Sequence, residues 1–268
     1  MNSTLFDRSA SMSNDILALH DFANVLADKA RRLARKHFRK TTAYERKADE
    51  SPVTIADKAI EAELRALIMR RYPQHGILGE EMGGNTDGNL LWVLDPIDGT
   101  KSFLTGMPLF GTLIAFLQDG EAKIGVIEIP PLGERWSAFP GAARHNQKPC
   151  HTSGCTSLKD ARVYTSSPDF FHDPNDWDRY DRVSRAAAIR RFGGDCYQYG
   201  LLASGYCDLV IEASLMPYDF LALVPIVETA GGKMTDWEGR PLTVNSGQRV
   251  IAAATPQLHD EALRMLNS

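Results

Sequence analysis

The sequence predicts a layered α/β protein, and two patterns support this prediction. The first half contains two apolar runs, 111–117 and 122–129, joined by Asp119-Gly120. Asp-Gly between apolar runs is a strong signal for a β-hairpin. In the second half, short apolar runs alternate with segments of helical spacing, which is typical of a sheet covered by helices. The 268 residues, of which 43% are hydrophobic, allow a packed core.

The first half opens with a polar, Ser-rich stretch over residues 1–12, which we predict to be a disordered leader. Two helices are predicted where apolar residues recur at helical spacing, over 14–40 and 54–71. The pair Ile77-Leu78 and the continuous apolar run 90–94 are predicted strands. The second of these stops abruptly at Asp95, as a buried strand does when it delivers polar residues at its end.

The second half continues the alternation of strands and helices. Its predicted strands cover 161–165, 208–212 and 249–254, and its predicted helices cover 177–190, 196–205, 219–230 and 257–266. The polar stretch 141–154 is the best candidate junction. We therefore expect two halves, 13–145 and 146–268, that together form one unit.

The charge balance argues against a nucleic-acid partner. The chain carries 30 basic and 34 acidic residues, a net charge of −4, whereas nucleic-acid-binding domains are usually basic. The sequence has neither a signal peptide nor an apolar segment of about 18 residues, so we expect no membrane partner. These features predict a soluble, cytoplasmic protein.

Candidate functional residues are most closely spaced in residues 95–100, Asp-Pro-Ile-Asp-Gly-Thr, directly after a predicted buried strand. Two carboxylates three residues apart can serve a hard divalent cation, which prefers oxygen ligands. Gly99 permits a tight turn in which backbone N–H groups approach a phosphate, and Thr100 adds a hydroxyl beside them. The alternative is a common capped turn, in which an Asp ends a strand and a glycine follows.

Two further acidic positions favour the cation-binding interpretation. Glu80-Glu81 follows the predicted strand Ile77-Leu78, and Asp219 opens a predicted apolar helix. The alternative for the glutamates is a solvated acidic pair. The alternative for Asp219 is a helix N-cap, which is compatible with a ligand role.

Several sequence elements occur together in a characteristic order. They are Ser51-Pro52-Val53-Thr54 with Asp57, Gly79-Glu80-Glu81, the string WVLDPIDGT at 92–100, Tyr218-Asp219, and Ala230-Gly231-Gly232. In these elements the chain resembles the inositol monophosphatase family of magnesium-dependent, lithium-sensitive phosphatases. The resemblance implies a five-layer αβαβα sandwich of the inositol monophosphatase and fructose-bisphosphatase type.

The resemblance also implies roles for individual residues. Two or three Mg²⁺ ions would be bound by Glu80, Asp95, Asp98 and Asp219 and by the carbonyl of Ile97. Gly99 and Thr100 would hold the phosphate through backbone N–H groups, with Asp98 beside it. Asp57 would accept a hydrogen bond from the Thr100 hydroxyl, and this pair with Glu80 would activate the attacking water.

Residues 192–232, which would surround the leaving group of the substrate, are similar to the histidinol-phosphate phosphatase branch of the family. We call this region the leaving-group side. Tyr218 replaces the Trp that usually precedes the metal-binding Asp, and Leu221 stands where a small residue is usual. Asp195 and Glu212 suit an amino alcohol, because an ammonium group can pair with carboxylates. The alternatives are a helix N-cap for Asp195 and an exposed strand end for Glu212.

We therefore predict a phosphomonoesterase that converts histidinol phosphate to histidinol with a metal-activated water, a step of histidine biosynthesis. The half 13–145 would carry the metal-binding carboxylates and the half 146–268 the substrate pocket. Lys47 would lie on a mobile loop over the site, and the resemblance implies a homodimer. The alternative substrates are inositol 1-phosphate or a related sugar or nucleotide phosphate. The alternative of another class is a catalytically silent regulatory relative.

Overall fold

Five layers of secondary structure make up the fold, in the order helices, sheet, helices, sheet, helices. A computed structural model describes residues 3–40, 44–46 and 52–268. The layer order confirms the αβαβα sandwich that the resemblance implies.

The helices lie in three of the five layers. They are α1 (Ser3–His37), α2 (Ile55–Arg71), α3 (Thr100–Thr105), α4 (Pro174–Arg185), α5 (Tyr197–Ala203), α6 (Pro217–Phe220), α7 (Leu223–Thr229) and α8 (Pro256–Leu266). A 3-10 turn, Pro168–Phe170, lies shortly before α4 in the chain. No helix among the described residues combines the length and the apolar character that crossing a bilayer requires.

The strands form two sheets and a short ribbon. They are β1 (Glu45–Arg46), β2 (Pro52–Val53), β3 (Gly76–Gly79), β4 (Gly83–Gly84), β5 (Leu90–Asp98), β6 (Gly111–Gln118), β7 (Glu121–Ile129), β8 (Glu134–Phe139), β9 (Ala142–His145), β10 (Lys148–Pro149), β11 (Arg162–Thr165), β12 (Ile189–Phe192), β13 (Leu209–Glu212), β14 (Lys233–Thr235) and β15 (Val250–Ala253). Strands β1 and β2 form the ribbon.

The two sheets are covered on both faces. The larger sheet has the order β10-β9-β8-β7-β6-β5-β3-β4, in which β3 and β5 are the parallel pair. The smaller sheet has the order β12-β11-β13-β15-β14, in which β11 is parallel to both of its neighbours. Helices α1 and α2 pack on the outer face of the larger sheet, α5, α6 and α7 lie between the sheets, and α4 and α8 cover the smaller sheet.

Helix α2 illustrates how the outer layer forms. The Thr54 hydroxyl accepts hydrogen bonds from the first amides of the helix, and the Asp57 carboxylate accepts one from the Thr54 amide, which completes a capping box. Ile60 and Leu64 then follow at a spacing of four residues and are fully buried in the same core cluster as Trp92. Burying each such aliphatic side chain contributes about 1.5–3 kcal/mol.

Two predicted helix boundaries differ from the structure. Helix α1 begins at Ser3, so the leader predicted over 1–12 is helical from residue 3 onwards. Neither glycine nor proline occurs between Ser3 and the predicted start at residue 14, so no residue stops the helix. The helix predicted over 177–190 spans Pro174–Arg185 instead, and Ile189–Phe192 forms β12. Parallel pairing with β11 overrides the local helical spacing there.

The single helix predicted over 219–230 is divided in two. Helix α6 ends at Phe220, α7 begins at Leu223, and Asp219 is the third residue of α6 rather than its N-cap. Pro225 accounts for the division, because a proline lacks the N–H that would bond to the carbonyl four residues earlier. The prediction also omits the strands β1, β2, β4, β8, β9, β10 and β14. The junction at 141–154 stays a prediction.

Candidate metal and phosphate site

The end of β5 places two carboxylates at the edge of the larger sheet. Its pairing with β6 shifts register between Asp95 and Asp98, so two residues of β5 oppose the single residue Thr112. The Thr112 hydroxyl fills this bulge by donating to the Pro96 carbonyl at 2.8 Å. A bulge bends the strand and redirects its side chains. Strand β5 therefore continues to Asp98, beyond the end predicted at residue 94.

Three carboxylates from two elements meet at this edge. One carboxylate oxygen from each of Asp95, Asp98 and Asp219 lies within 4.8 Å of the others. Asp219 is oriented by the Met216 amide, which donates to its Oδ2 at 2.7 Å. Glu80 directly follows β3, the parallel neighbour of β5, and its amide donates to the Leu94 carbonyl at 3.1 Å. The ends of parallel neighbours lie at one sheet edge, so Glu80 joins the three aspartates.

The electrostatics of the cluster favour a cation. Asp95 is 1% exposed, and burial, followed by the charges of Glu80, Asp98 and Asp219, raises its pKa well above the usual range. Burial and the charge of Asp195 raise the pKa of Asp98 to about 8. Burial and the charges of Asp98 and Glu80 raise the pKa of Asp219 strongly. Crowded, desolvated carboxylates of this kind are stabilised in their charged form by a bound divalent ion.

An open ligand atom supports this fit. Asp95 Oδ1 is buried and has no hydrogen-bond partner within the described part of the chain. A buried carboxylate oxygen without a partner is costly, and coordination to a hard cation would satisfy it. The residues present therefore fit Mg²⁺, although their ligand roles stay a prediction.

The start of α3 forms a turn suited to an anion. Gly99 has φ = 81°, the left-handed conformation that glycine adopts without strain. A Cβ at Gly99 would lie 2.7 Å from Asp195 Oδ2, so a side chain would also collide with that carboxylate. The Ser102 hydroxyl donates to the same Oδ2 at 2.8 Å. Asp195 thus packs directly against the turn that is predicted to hold phosphate.

The predicted hydrogen bond between Asp57 and Thr100 is not formed. The Thr100 hydroxyl donates to the Ile97 carbonyl at 3.1 Å. Asp57 is fully buried, and its Oδ2 accepts from the amide of Thr54, at 2.9 Å, and from the Thr54 hydroxyl. The prediction is therefore wrong, because the Thr100 hydroxyl donates to the nearby Ile97 carbonyl instead.

The other oxygen of Asp57 remains available. Its Oδ1 is buried without a hydrogen-bond partner in the described residues. Burial raises the pKa of Asp57, the hydrogen bonds from Thr54 oppose this, and the charge of Glu80 adds to it. Asp57 therefore lies near enough to Glu80 to feel its charge, and its Oδ1 is free to accept a hydrogen bond.

Both alternatives considered for the leaving-group side are wrong. Asp195 has φ = 45° and precedes Cys196, which is itself the N-cap residue of α5. Glu212 is only 2% exposed rather than at an exposed strand end. Its Oε1 accepts from the Ser166 amide at 2.9 Å and its Oε2 from the Tyr199 hydroxyl at 2.8 Å.

Negative charge accumulates on this side of the cluster. Burial raises the pKa of Asp195, and the hydrogen bond from Ser102 and the charge of Lys101 oppose that shift. Burial likewise raises the pKa of Glu212, with hydrogen bonds from Ser166 and Tyr199 opposing it and the charge of Asp195 adding to it. A positively charged ligand group would relieve the repulsion between the two carboxylates.

Sequence reasoning missed three residues that hold these acids in place. Ser102, Ser166 and Tyr199 donate to Asp195 or Glu212. The sequence could have indicated Ser166, because a polar residue directly after a predicted strand is a candidate site residue. Ser102 and Tyr199 lie inside helices, and the spacing of helical residues does not distinguish them from other polar residues. Lys47 lies outside the described residues.

Comparisons with known proteins agree with this geometry. Residues 17–268 match the sequence profile of the inositol monophosphatase family. The chain is 44% identical over 254 residues to the Arabidopsis thaliana bifunctional phosphatase IMPL2, chloroplastic, covering 91% of this chain and 73% of that protein. It is 36% identical over 265 residues to a Mycobacterium tuberculosis histidinol-phosphatase, covering 96% of this chain and 100% of that protein. An inositol monophosphatase structure from Zymomonas mobilis superposes with a TM-score of 0.87 at 42% identity, covering 94% of this chain and 99% of that one.

Proposed function

This chain belongs to the inositol monophosphatase family of phosphatases, and we propose that it is a Mg²⁺-dependent phosphatase of histidinol phosphate. The observation that carries the choice of substrate is an acidic pair beside the carboxylate cluster, half-buried Asp195 and buried Glu212. Histidinol phosphate brings an ammonium group to this pair, whereas a polyol phosphate brings only hydroxyls. Relatives named histidinol-phosphatase support the same substrate.

The metal would be held at the end of β5. Asp95, Asp98 and Asp219 would supply carboxylate oxygens, with Glu80 adjacent. The Ile97 carbonyl accepts from Thr100 and retains a second lone pair for a cation. When bound, Mg²⁺ neutralises phosphate charge and lowers the pKa of water.

The chain itself would position the phosphate and accept the proton. The first amides of α3 have no acceptors within the helix, so those from Thr100 onwards can donate to phosphate oxygens. Asp57 Oδ1 is an open acceptor near Glu80, while Thr54 fixes Oδ2. In this proposal Asp57 Oδ1 takes a proton from the attacking water.

A substrate panel tests this proposal. Phosphate release would be measured from histidinol phosphate, inositol 1-phosphate and a 3′-phosphoadenosine nucleotide, each with Mg²⁺ and with a chelator. We expect Mg²⁺-dependent turnover with the highest kcat/KM for histidinol phosphate. A higher kcat/KM for either other ester would reject the substrate, and no Mg²⁺-dependent release from any ester would favour a catalytically silent relative.

Substitution of the acidic pair sharpens the test. Asp195→Asn removes the charge but keeps an acceptor for Ser102, and Asn tolerates the left-handed conformation. We expect KM for histidinol phosphate to rise about tenfold, since a charge-assisted hydrogen bond contributes roughly 1.5–3 kcal/mol. Asp178→Asn on the exposed face of α4 is the matched control. The homodimer and the cytoplasmic location stay predictions.

A further inference from the structure

Hydrogen bonds hold both ends of the turn 166–170 against the end of β13 and the residues that follow it. At its start the Ser166 amide donates to Glu212 Oε1 at 2.9 Å. At its end the Phe170 carbonyl accepts from the Ser214 hydroxyl at 2.7 Å. Ser214 lies only two residues after Glu212, so the whole turn is held beside that buried carboxylate.

The ring of Phe170 also lies beside Lys101, at the start of α3, where phosphate is predicted to bind. Lys101 directly follows Thr100 in α3, and its ammonium nitrogen lies 5.6 Å from the Phe170 ring centroid. The same ammonium acts electrostatically on Asp195. Phe170 is thus connected to Glu212 on one side and, through Lys101, to Asp195 on the other. These contacts place a half-buried aromatic ring next to the residues that we propose to bind the leaving group.

The position of Lys101 shows what the ring can hold. A cation within about 6 Å of a ring centroid is attracted by the electrons of the ring face. Lys101 is exposed and its side chain is long and flexible, so it can turn from the ring towards a bound phosphate at little cost. Its departure would leave an aromatic face beside two carboxylates. A flat ring that can take up a proton, as an imidazole can, matches all three groups, whereas a polyol would place hydroxyls against a surface that cannot satisfy them.

We propose that Phe170 is a specificity-determining residue whose ring stacks against a flat aromatic ring of the leaving group. The imidazole of histidinol phosphate is such a ring, so this inference rests on the proposed function and extends it to a second part of the substrate. Asp195 and Glu212 would select the ammonium, and Phe170 would select the ring. Lys101 would occupy the ring face until substrate arrives.

The experiment compares esters that differ in the leaving group. We would measure kcat/KM for histidinol phosphate, phenyl phosphate and glycerol 2-phosphate with wild type, Phe170→Leu and Phe170→Tyr. The ratio of histidinol phosphate to glycerol 2-phosphate should fall about five- to tenfold in Phe170→Leu, mainly through KM, because aromatic and cation–π contacts are lost. Phe170→Tyr keeps the ring and should retain the wild-type ratio.

Phe192→Leu is the matched control. Phe192 is also a partly exposed phenylalanine with a cation near its ring, since Arg190 lies 4.9 Å from the centroid. Its ring packs near Trp177 and Tyr180 of α4, on the outer face of the smaller sheet. We therefore expect Phe192→Leu to keep the wild-type ratio. Thermal unfolding of each variant would report whether it is folded.

The outcomes separate this inference from the proposed function. Turnover of histidinol phosphate with an unchanged ratio in Phe170→Leu would overturn the role of Phe170 while leaving the substrate intact. A second outcome is that histidinol phosphate is not turned over, but the ratio of kcat/KM for phenyl phosphate to that for glycerol 2-phosphate falls in Phe170→Leu. This would reject the substrate and support an aromatic contact between Phe170 and the leaving group.

Discussion

Asp98 Oδ2 accepts a hydrogen bond from the Cys196 amide across 2.6 Å. The contact joins the end of β5, where the carboxylates gather, to the turn that carries Asp195. Asp98 therefore belongs to the carboxylate cluster and also contacts the leaving-group side, which contains Asp195. Desolvation and the nearby charge of Asp195 raise the pKa of half-buried Asp98 to about 8, and a bound divalent cation would restore its charged form.

The turn at Gly99 should tolerate no side chain. Gly99 and Gly120 both have φ = 81°, but a Cβ at Gly120 meets nothing within 4 Å, whereas one at Gly99 meets Asp195. Gly120→Ala should cost about 1 kcal/mol in unfolding free energy from the backbone conformation alone. Gly99→Ala should cost more than this and also lower kcat/KM. Denaturant unfolding and phosphate-release assays measure both, and equal costs for the two variants would refute the close packing.

Asp57 should contribute through its charge and not only as part of a helix cap. We predict that Asp57→Asn lowers kcat on the order of a hundredfold, because a general base contributes roughly that much. Thr54→Ala removes the hydroxyl that contacts Asp57 but leaves the carboxylate. It should destabilise α2 by about 1 kcal/mol and retain most of the activity. If the two variants lost kcat equally, the contribution of Asp57 would be structural.

Stability at acidic pH should depend on Asp208. Burial would raise the pKa of Asp208, but hydrogen bonds from Arg162 and Ser153 outweigh it and lower the pKa below the usual value. A carboxylate with a lowered folded-state pKa stabilises the fold above its unfolded pKa and loses this effect as pH falls through the folded value. The difference in unfolding free energy between wild type and Asp208→Asn should be constant above about pH 5 and shrink below about pH 4. A difference that did not change with pH would contradict this.

Metal binding should change the stability of the fold. Asp95, Asp98 and Asp219 repel one another without a cation, so Mg²⁺ should raise the midpoint of thermal unfolding. Asp219→Asn relieves part of the repulsion and should raise the midpoint without metal, while abolishing most of the Mg²⁺-dependent increase. Asp169→Asn, on an exposed turn, is the control and should respond as wild type does. An undiminished Mg²⁺ response in Asp219→Asn would exclude Asp219 as a ligand.

The sequence allowed the arrangement of the acidic cluster to be predicted because local signals coincided. The apolar run before Asp95 indicated a buried strand, and Ile77-Leu78 before Glu80 indicated a second one. Strand ends in an α/β sheet gather at one edge, so polar residues that follow two strands can be expected to meet. The fold class followed from the same alternation.

Contacts between distant segments could not be predicted in this way. From the sequence, Asp57 could bond either to Thr54 in the cap of α2 or to the Thr100 hydroxyl. Only the packed structure shows that it bonds to Thr54 and that Thr100 donates to Ile97. The spacing of 177–190 favours a helix, but parallel pairing with β11 makes its last residues a strand. The positive φ of Asp195 and its close packing against Gly99 are likewise not encoded in short-range spacing.

The most direct test of the central claim is anomalous diffraction from crystals soaked in Mn²⁺, a substitute for Mg²⁺ with similar oxygen ligands. The account predicts anomalous peaks within coordination distance of Asp95, Asp98 and Asp219, with Glu80 beside them, and the loss of such a peak in Asp219→Asn. Crystals of active enzyme that showed no peak at these carboxylates would contradict it.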